Sequence, residues 1–414
     1  MFLISNIFII LILVIYILFI YKLSKFVYYN SIKYYKPLKG KNGEDLHEKN
    51  NAFKCIDKKP DEVRLFFGLF FFLPIHAFLS FWSSVIFNIH IRFLKNFWLK
   101  NPDKNRDQYK ILNKYISFWS YMFLYSNGVI PFEIGKENLE KKVEEIYKKY
   151  LGDNYDVWKE RKYSIITCNH FGFFETVYCM AKFGVGFIAK KELKNFWFVG
   201  PIAEAINCLF VQREDNNDRI KIFKTLEQRQ KDYYNDVINS TLAIFPEGTT
   251  TNGNYCLKFK KGAFYSLLPI KPVYCSVFLD EDVKNGIQFS LAVGVQNLVI
   301  SYIRGYAYLW LRIKCYSWLP VIEPTQFMWE MYKDETKEKW EIYAEIVRNI
   351  YCDIFKLIKS DLSLSDEKRY FEAIMTGTYR EFLYLPGHEN YTKQYLSMKK
   401  NNNIDENILT KINN

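Results

Sequence analysis

The sequence predicts an α/β fold with a mostly parallel sheet flanked by helices, joined to an N-terminal membrane helix and a membrane-associated hairpin. Three observations support this prediction. Residues 1–21 carry no charged side chain, and residues 65–91 form a second uncharged run. Between about residues 160 and 325, short apolar runs alternate with amphipathic stretches. That alternation is typical of buried parallel strands separated by helices.

Composition narrows the class of protein. The chain has 414 residues, of which 49% are hydrophobic and 19% aromatic, and this excludes a disordered or collagen-like protein. The net charge of +12 implies a negatively charged partner, such as an anionic membrane surface, a phosphorylated substrate or nucleic acid. Because no nucleic-acid-binding motif accompanies the charge, we expect no nucleic-acid partner.

Residues 1–21 are predicted to be a transmembrane anchor, because about 20 apolar residues suffice to span a bilayer. The alternative is a cleaved signal peptide, which usually has a basic start and a small-residue cleavage site, and neither is evident. Residues 22–64 form a basic linker, whose first six charged side chains are all lysines (Lys22, Lys25, Lys33, Lys36, Lys39 and Lys41). By the positive-inside rule, this linker faces the cytosol.

Residues 65–132 are predicted to be a membrane-associated hairpin followed by interfacial helices. Basic residues flank both ends of the run 65–91, and Pro74 would kink a helix there, so we favour a hairpin that re-enters the same leaflet. A plain second span is the alternative, and it would place everything downstream in the lumen. The shorter apolar patch 115–132 is either an interfacial helix or part of the soluble core.

Residues 133–325 are predicted to be the catalytic domain. The candidate strands are 163–168, 183–188, 208–212, 241–245, 270–278 and 309–315. In sheets of this kind, functional groups lie at the carboxyl ends of the strands. Residues 326–397 are predicted to be a C-terminal helical extension, because isoleucines recur every four residues from Ile342. Residues 398–414 are predicted to be a polar, flexible tail.

The eight cysteines are scattered, and none forms a C-x-x-C pair. A disulfide framework or a zinc site would need tighter spacing, so we expect neither disulfides nor a metal.

One histidine has suggestive neighbours. His170 follows a predicted strand in the segment CNHFGFFETVY, and Glu175 comes after four intervening residues, where a helix should begin. A carboxylate at that place can fix the imidazole tautomer and stabilise the imidazolium, as the acid of a hydrolase triad does. The spacing alone is a weak signal, because it recurs by chance.

A second segment, FPEGTTTNG at residues 245–253, follows the apolar run TLAI. Its glycines permit a tight backbone, and its amides and hydroxyls can hold an anionic or polyol group. On its own it could equally be an ordinary turn between a strand and a loop.

Together these segments resemble the glycerophospholipid acyltransferase family. NHFGFFE (169–175) matches the family's N-H-x-x-x-x-D motif except for its final Glu. KKELKNFWFVGPIAEAINCLFVQR (190–213), FPEGT (245–249) and LPIKPVYC (268–275) correspond to the second, third and fourth motifs in the same order. The form TTTNG, with FKKGAF at 259–264, is most similar to the lysophosphatidylcholine and lysophosphatidylethanolamine acyltransferase branch.

The resemblance implies an acyl-CoA-dependent transfer to a lysoglycerophospholipid hydroxyl, with His170 as the general base and Glu175 orienting it. The resemblance also implies that Arg213 contacts the acceptor phosphate. The full set of implied substrate-binding residues is Arg213, Glu247, Gly248, Thr249, Thr250, Lys190 and Lys260. Acyl-CoA would be a co-substrate, and no cofactor or metal would be needed. The protein would be bound to a lipid bilayer, in the endoplasmic reticulum, with its catalytic domain on the cytosolic side.

Two departures from the family pattern keep alternatives open. Glu175 is one methylene longer than the usual Asp, which would suit a catalytically inactive membrane adaptor if the dyad cannot form. Thr250 stands where lysophosphatidic acid acyltransferases carry an Arg, which argues against a bare phosphate acceptor. Lys258, Lys260 and Lys261 could compensate for that Arg, so a lysophosphatidic acid acyltransferase is the alternative enzyme.

Overall fold

The computed structural model describes residues 2–376, except for residues 37, 40–44, 50, 99–100, 138, 198, 213–215, 280–281, 283–287, 290–297 and 309. Its helices are α1 (Phe2–Ile32), α2 (Leu46–Lys49), α3 (Glu62–Phe93), α4 (Arg106–Ser126), α5 (Glu140–Leu151), α6 (Phe174–Phe183), α7 (Gly200–Ala205), α8 (Asn216–Tyr234), α9 (Leu298–Gly305), α10 (Gln326–Met331), α11 (Lys339–Phe355) and α12 (Leu364–Thr376). Its strands are β1 (Val129–Glu133), β2 (Ile165–Cys168), β3 (Ile188–Lys190), β4 (Leu209–Val211), β5 (Ala243–Ile244), β6 (Tyr255–Leu257), β7 (Ile270–Leu279), β8 (Leu311–Tyr316) and β9 (Ile358–Ser360).

The main sheet confirms the predicted α/β class. Its strand order is β1-β8-β7-β2-β5, and every pairing is parallel except β7 with β8. Successive residues point to opposite faces, so Ile166 packs with α4 and α6 on one side while Ile165 packs with α5 and α11 on the other. Helices therefore cover both faces of the sheet.

Each predicted strand overlaps a strand of the structure, but the edges of the fold differ. Segment 183–188 only touches β3, which pairs with β4 in a small separate sheet. Strand β1 lies at the end of the patch 115–132, and most of the rest of this patch belongs to α4. Because Ile116 and Leu124 of α4 are fully buried in the core, the patch is part of the globular unit rather than a free interfacial helix.

Within the described part of the chain, two helices, α1 and α3, are long and apolar enough to cross a membrane by length and composition. They pack antiparallel, with Lys25 of α1 paired to Glu62 of α3. Large apolar side chains on the outer faces of both helices are exposed, from Phe8 to Phe19 on α1 and from Val63 to Phe93 on α3. Exposed apolar surface of this extent is typical of contact with lipid.

Residues 65–91 do not turn back on themselves as predicted, because α3 runs unbroken from Glu62 to Phe93 with Pro74 inside it. Proline removes the N–H that would bond to the carbonyl four residues earlier, which is that of Phe70. The Tyr16 hydroxyl of α1 donates to this same carbonyl at 2.6 Å. The contact between the two helices thus satisfies the acceptor that proline leaves open, and the helix continues.

This contact predicts a coupled effect of two substitutions. Tyr16→Phe should cost about 1 kcal/mol of stability, since it leaves the Phe70 carbonyl without its donor. In a Pro74→Ala background the cost should largely vanish, because alanine supplies the missing backbone N–H. Thermal melting of the four proteins in detergent micelles checks this, and an equal loss in both backgrounds would contradict it.

The segment after α1 packs onto the globular unit. Arg304 of α9 is only 1% exposed, and its guanidinium donates to Asp57 at 3.0 Å and to the Tyr35 hydroxyl at 2.9 Å. Tyr35 in turn donates to Asp57 at 2.6 Å. A buried pair with these hydrogen bonds fixes the segment, because removing either partner would leave an uncompensated charge.

Candidate active site

His170 lies at the carboxyl end of β2, where the sequence predicted it. The loop between β2 and α6 carries Asn169 and His170, and the Asn169 side chain fixes the loop to β7. Its amide nitrogen donates to the Cys275 carbonyl, and its oxygen accepts from the Cys275 N–H, both at 2.8 Å. This two-point contact ties the start of the loop to the neighbouring strand.

His170 and Glu175 form the predicted pair. His170 Nδ1 lies 2.5 Å from Glu175 Oε1, which also accepts the Gly172 N–H at 3.0 Å. The Glu175 side chain is fully buried, whereas the His170 side chain is 23% exposed. A carboxylate on Nδ1 favours the tautomer whose proton lies there, which leaves Nε2 as the basic nitrogen. The longer side chain therefore reaches the imidazole.

An aromatic stack fixes the plane of the imidazole. The His170 ring lies on Phe245, with centroids 4.2 Å apart and planes 14° apart, and Phe245 stacks on Phe187 at 5.8 Å. Phe245 opens the FPEGT segment, so this segment touches the histidine directly. Sequence reasoning noted the motif but did not assign this role to its phenylalanine.

Glu247 joins the FPEGT segment to the histidine loop. It is 3% exposed, and its two oxygens accept the backbone N–H groups of His170 at 3.4 Å and Leu257 at 3.0 Å. Burial raises the pKa of its carboxyl to about 7, while the two backbone donors and His170 act to lower it. With both oxygens on backbone donors, Glu247 ties the FPEGT segment to the loop that carries His170.

Gly248 and Lys260 lie against each other. Gly248 has a φ of 75°, which favours glycine, and a Cβ built on it would come within 2.5 Å of Lys260 Nζ. The Lys260 N–H donates to the Pro246 carbonyl at 2.8 Å. The absence of a side chain at Gly248 therefore lets a lysine ammonium approach the loop backbone.

The other predicted site residues differ in their placement. Thr249 is buried, and its hydroxyl donates to Glu367 of α12. Thr250 is half-buried in the same loop, and Lys190 is exposed at the end of β3. Arg213 lies outside the described residues. The structure thus brings His170, Glu175, Glu247, Gly248, Thr249 and Lys260 together.

Glu367 was missed by sequence reasoning, since it lies 118 residues from Thr249 in a helix without any motif. Among the described residues, no group of three or more His, Cys, Asp or Glu side chains is placed to hold a metal ion.

Comparison with known proteins agrees with the motifs. Residues 134–276 match the family model described as Acyltransferase. Lysophospholipid acyltransferase LPEAT1 of Arabidopsis thaliana is 32% identical over 216 residues, which cover 51% of this chain and 49% of that protein. Lysophosphatidylcholine acyltransferase of Drosophila melanogaster is 31% identical over 111 residues, covering 26% and 20%. Lysophosphatidylcholine acyltransferase 2 of Homo sapiens is 22% identical over 210 residues, covering 49% and 34%.

The matches span about half the length of the plant relative and a smaller share of the two animal relatives. The crystal structure of the 1-acyl-sn-glycerophosphate acyltransferase PlsC of Thermotoga maritima is 17% identical, with a TM-score of 0.42 over 70% of this chain and 98% of that one. That similarity is too weak to support a functional conclusion. The family match and the relatives confirm the prediction made from the motifs: residues 134–276 form an acyltransferase domain, and this chain is similar to lysophospholipid acyltransferases.

Proposed function

We propose that this protein transfers an acyl group from acyl-CoA to the hydroxyl of a lysoglycerophospholipid, with His170 as the general base. The observation that carries the proposal is the His170–Glu175 pair, in which a fully buried carboxylate holds a partly exposed imidazole at 2.5 Å. The same observation argues against an inactive adaptor, because the Glu in place of the family's Asp reaches the histidine.

The reaction needs one proton to move twice. His170 Nε2 takes the proton of the acceptor hydroxyl as its oxygen attacks the thioester carbonyl, which typically contributes ~10²–10⁴-fold in rate. Glu175 stabilises the imidazolium that forms. The carbon–sulfur bond then breaks, the CoA thiolate leaves, and the imidazolium returns the proton to sulfur. The acyl group moves directly to the acceptor, without an acyl-enzyme.

The acceptor side of the site is assigned to the FPEGT loop. We propose that Arg213 contacts the acceptor phosphate and that Lys190, Lys260 and Thr250 contribute to binding, while Glu247, Gly248 and Thr249 shape the pocket. Thr250 offers no bidentate phosphate clamp of the kind that arginine provides. A choline- or ethanolamine-bearing lysophospholipid is therefore the favoured acceptor, and lysophosphatidic acid is the alternative.

An acceptor panel tests this proposal. The purified full chain in mixed micelles would receive labelled acyl-CoA and lysophosphatidylcholine, lysophosphatidylethanolamine or lysophosphatidic acid in turn. We expect the first two to be acylated in preference to the third. A preference for the bare phosphate would identify the alternative enzyme, and product formation without added acyl-CoA would identify a CoA-independent transacylase.

The fold supports a cytosolic catalytic domain. The segment that follows α1 packs on the same body as the active site, because the Asn252 side chain donates to the backbone carbonyls of Asn51 and Lys54 at 2.8 and 3.0 Å. The catalytic domain must then lie on the side of the membrane to which α1 leads, and the lysines after the apolar run favour the cytosol for that side. We propose the endoplasmic reticulum as the membrane.

The second apolar helix also fits this arrangement. The carboxyl-terminal half of α3 packs along the catalytic domain, since Phe87 and Ile91 lie in its core and the Asn88 amide donates to the Trp197 carbonyl at 3.1 Å. With this half bound to the domain, α3 would enter the bilayer without carrying the domain across.

Protease protection on sealed microsomes gives the test of topology. A tag after Asn414 should be digested without detergent, because the domain is exposed to the cytosol. A tag protected until detergent is added would place the active site in the lumen and contradict the proposal.

A further inference from the structure

Helix α12 lies well beyond residues 134–276, which match the acyltransferase family model, yet one of its side chains reaches the active-site loop. The Thr249 hydroxyl of the FPEGT segment donates a hydrogen bond to Glu367 Oε2. Both side chains are only 7% exposed, so water does not readily replace either partner. A buried hydroxyl that loses its acceptor costs more than an exposed one.

Helix α12 is itself firmly held. The Tyr370 hydroxyl lies 2.5 Å from His47 Nδ1, and His47 Nε2 lies 2.5 Å from the Lys36 carbonyl. Tyr370 also packs in a buried cluster with Phe53 and Leu257. Glu367, three residues before Tyr370, is therefore presented from a fixed helix rather than from a mobile extension.

The loop is anchored at its other end by the segment after α1. The Asn252 N–H donates to the Ala52 carbonyl at 2.9 Å, in addition to the two bonds of its side chain. Between these anchors lies Thr251, whose N–H donates to the His170 carbonyl at 2.9 Å, and directly before Thr249 lies Gly248, with the Lys260 ammonium beside it. The loop conformation thus depends on contacts with two distant parts of the chain, the segment after α1 and helix α12.

We propose that Glu367 is a positioning residue that acts through Thr249 to hold the FPEGT loop in the shape that binds the lysophospholipid acceptor. This inference rests on the proposed function of the loop. Burial raises the pKa of the Glu367 carboxyl, while the hydrogen bond from Thr249 and the nearby His170 and Lys260 act to lower it, which agrees with its place at the edge of the site. Because this role of Glu367 is confined to the acceptor-binding loop, we expect the affinity for acyl-CoA to depend less on Glu367.

Steady-state kinetics of the full chain tests the role. Glu367→Ala should raise the KM for lysophosphatidylethanolamine about 10-fold, the change expected from ~1.4 kcal/mol for one buried charged hydrogen bond, with little change in the KM for acyl-CoA. Glu367→Gln keeps an acceptor oxygen for Thr249 and should restore most of the affinity. Thr249→Val should resemble Glu367→Ala, and the double variant should be no worse than either single variant.

A control on the same helix separates positioning from general stability. Arg369 donates to Asp366 of the same helix at 2.7 Å, so Arg369→Ala should leave the acceptor KM unchanged. If Glu367→Ala lowers only the melting temperature, or if the effects of Glu367→Ala and Thr249→Val add, the inference is overturned.

Hydrogen exchange gives a readout that does not need activity. Glu367→Ala should increase amide exchange in residues 248–252, whereas Arg369→Ala should not. A wild-type protein that acylates no lysophospholipid would refute the proposed function, but hydrogen exchange in the loop would still test the role of Glu367. If Glu367→Ala left amide exchange in residues 248–252 unchanged, the positioning role of Glu367 would be refuted.

Discussion

His170→Ala should abolish acyl transfer while leaving the protein folded. The imidazole is the general base of the proposed reaction, and its loss is expected to lower kcat by at least ~10²-fold. The side chain is partly exposed and contacts Phe245 and Glu175, so its removal creates no large cavity in the core. Initial rates with labelled acyl-CoA measure the effect.

The control for this variant is its folding. Circular dichroism and the melting temperature in the same detergent should resemble those of the wild-type protein. Activity above about a tenth of the wild-type rate would show that another group accepts the proton, since a lost general base costs ~10²-fold or more.

Glu175→Gln should also lose most activity, by ~10²-fold or more, although it preserves the length of the side chain. An amide oxygen can still accept from Nδ1, but it carries no charge to stabilise the imidazolium. Glu175→Asp is the matched variant, because it keeps the charge and shortens the reach by one methylene. We expect Glu175→Asp to be the more active of the two, as aspartate is the family's usual residue.

The comparison of the two variants distinguishes the roles of charge and geometry. If the lost charge causes the defect, Glu175→Asp keeps more activity than Glu175→Gln. If glutamine supports full activity, Glu175 does not act through its charge, and the dyad interpretation is wrong.

The catalytic pair could be predicted from sequence because its parts are local. His170 and Glu175 are separated by four residues at a strand-to-helix junction, and that junction alone brings them together. The main sheet was predictable for a similar reason, since its strands are continuous apolar runs. Strand β1 was missed because it directly follows α4, so that most of it falls in the same apolar patch 115–132.

Contacts between distant segments could not be predicted in this way. Pro74 suggested a break in α3, but the Tyr16 hydroxyl that satisfies the Phe70 carbonyl comes from 54 residues away. Glu367 accepts a hydrogen bond from Thr249, which lies 118 residues earlier in the chain. Neither the residue types nor their spacing predicts this contact. Sequence patterns show which groups could react, whereas packing decides which distant groups hold them in place.

The central claim is that His170 activates the acceptor hydroxyl for direct attack on acyl-CoA. One measurement tests it most directly: the fate of labelled acyl-CoA mixed with the purified full chain, with and without lysophosphatidylethanolamine, in wild type and His170→Ala. We predict labelled diacyl lipid only with wild type and acceptor together, and no label on the protein when the acceptor is omitted. Labelled protein without acceptor, or equal product formation by His170→Ala, would contradict the account.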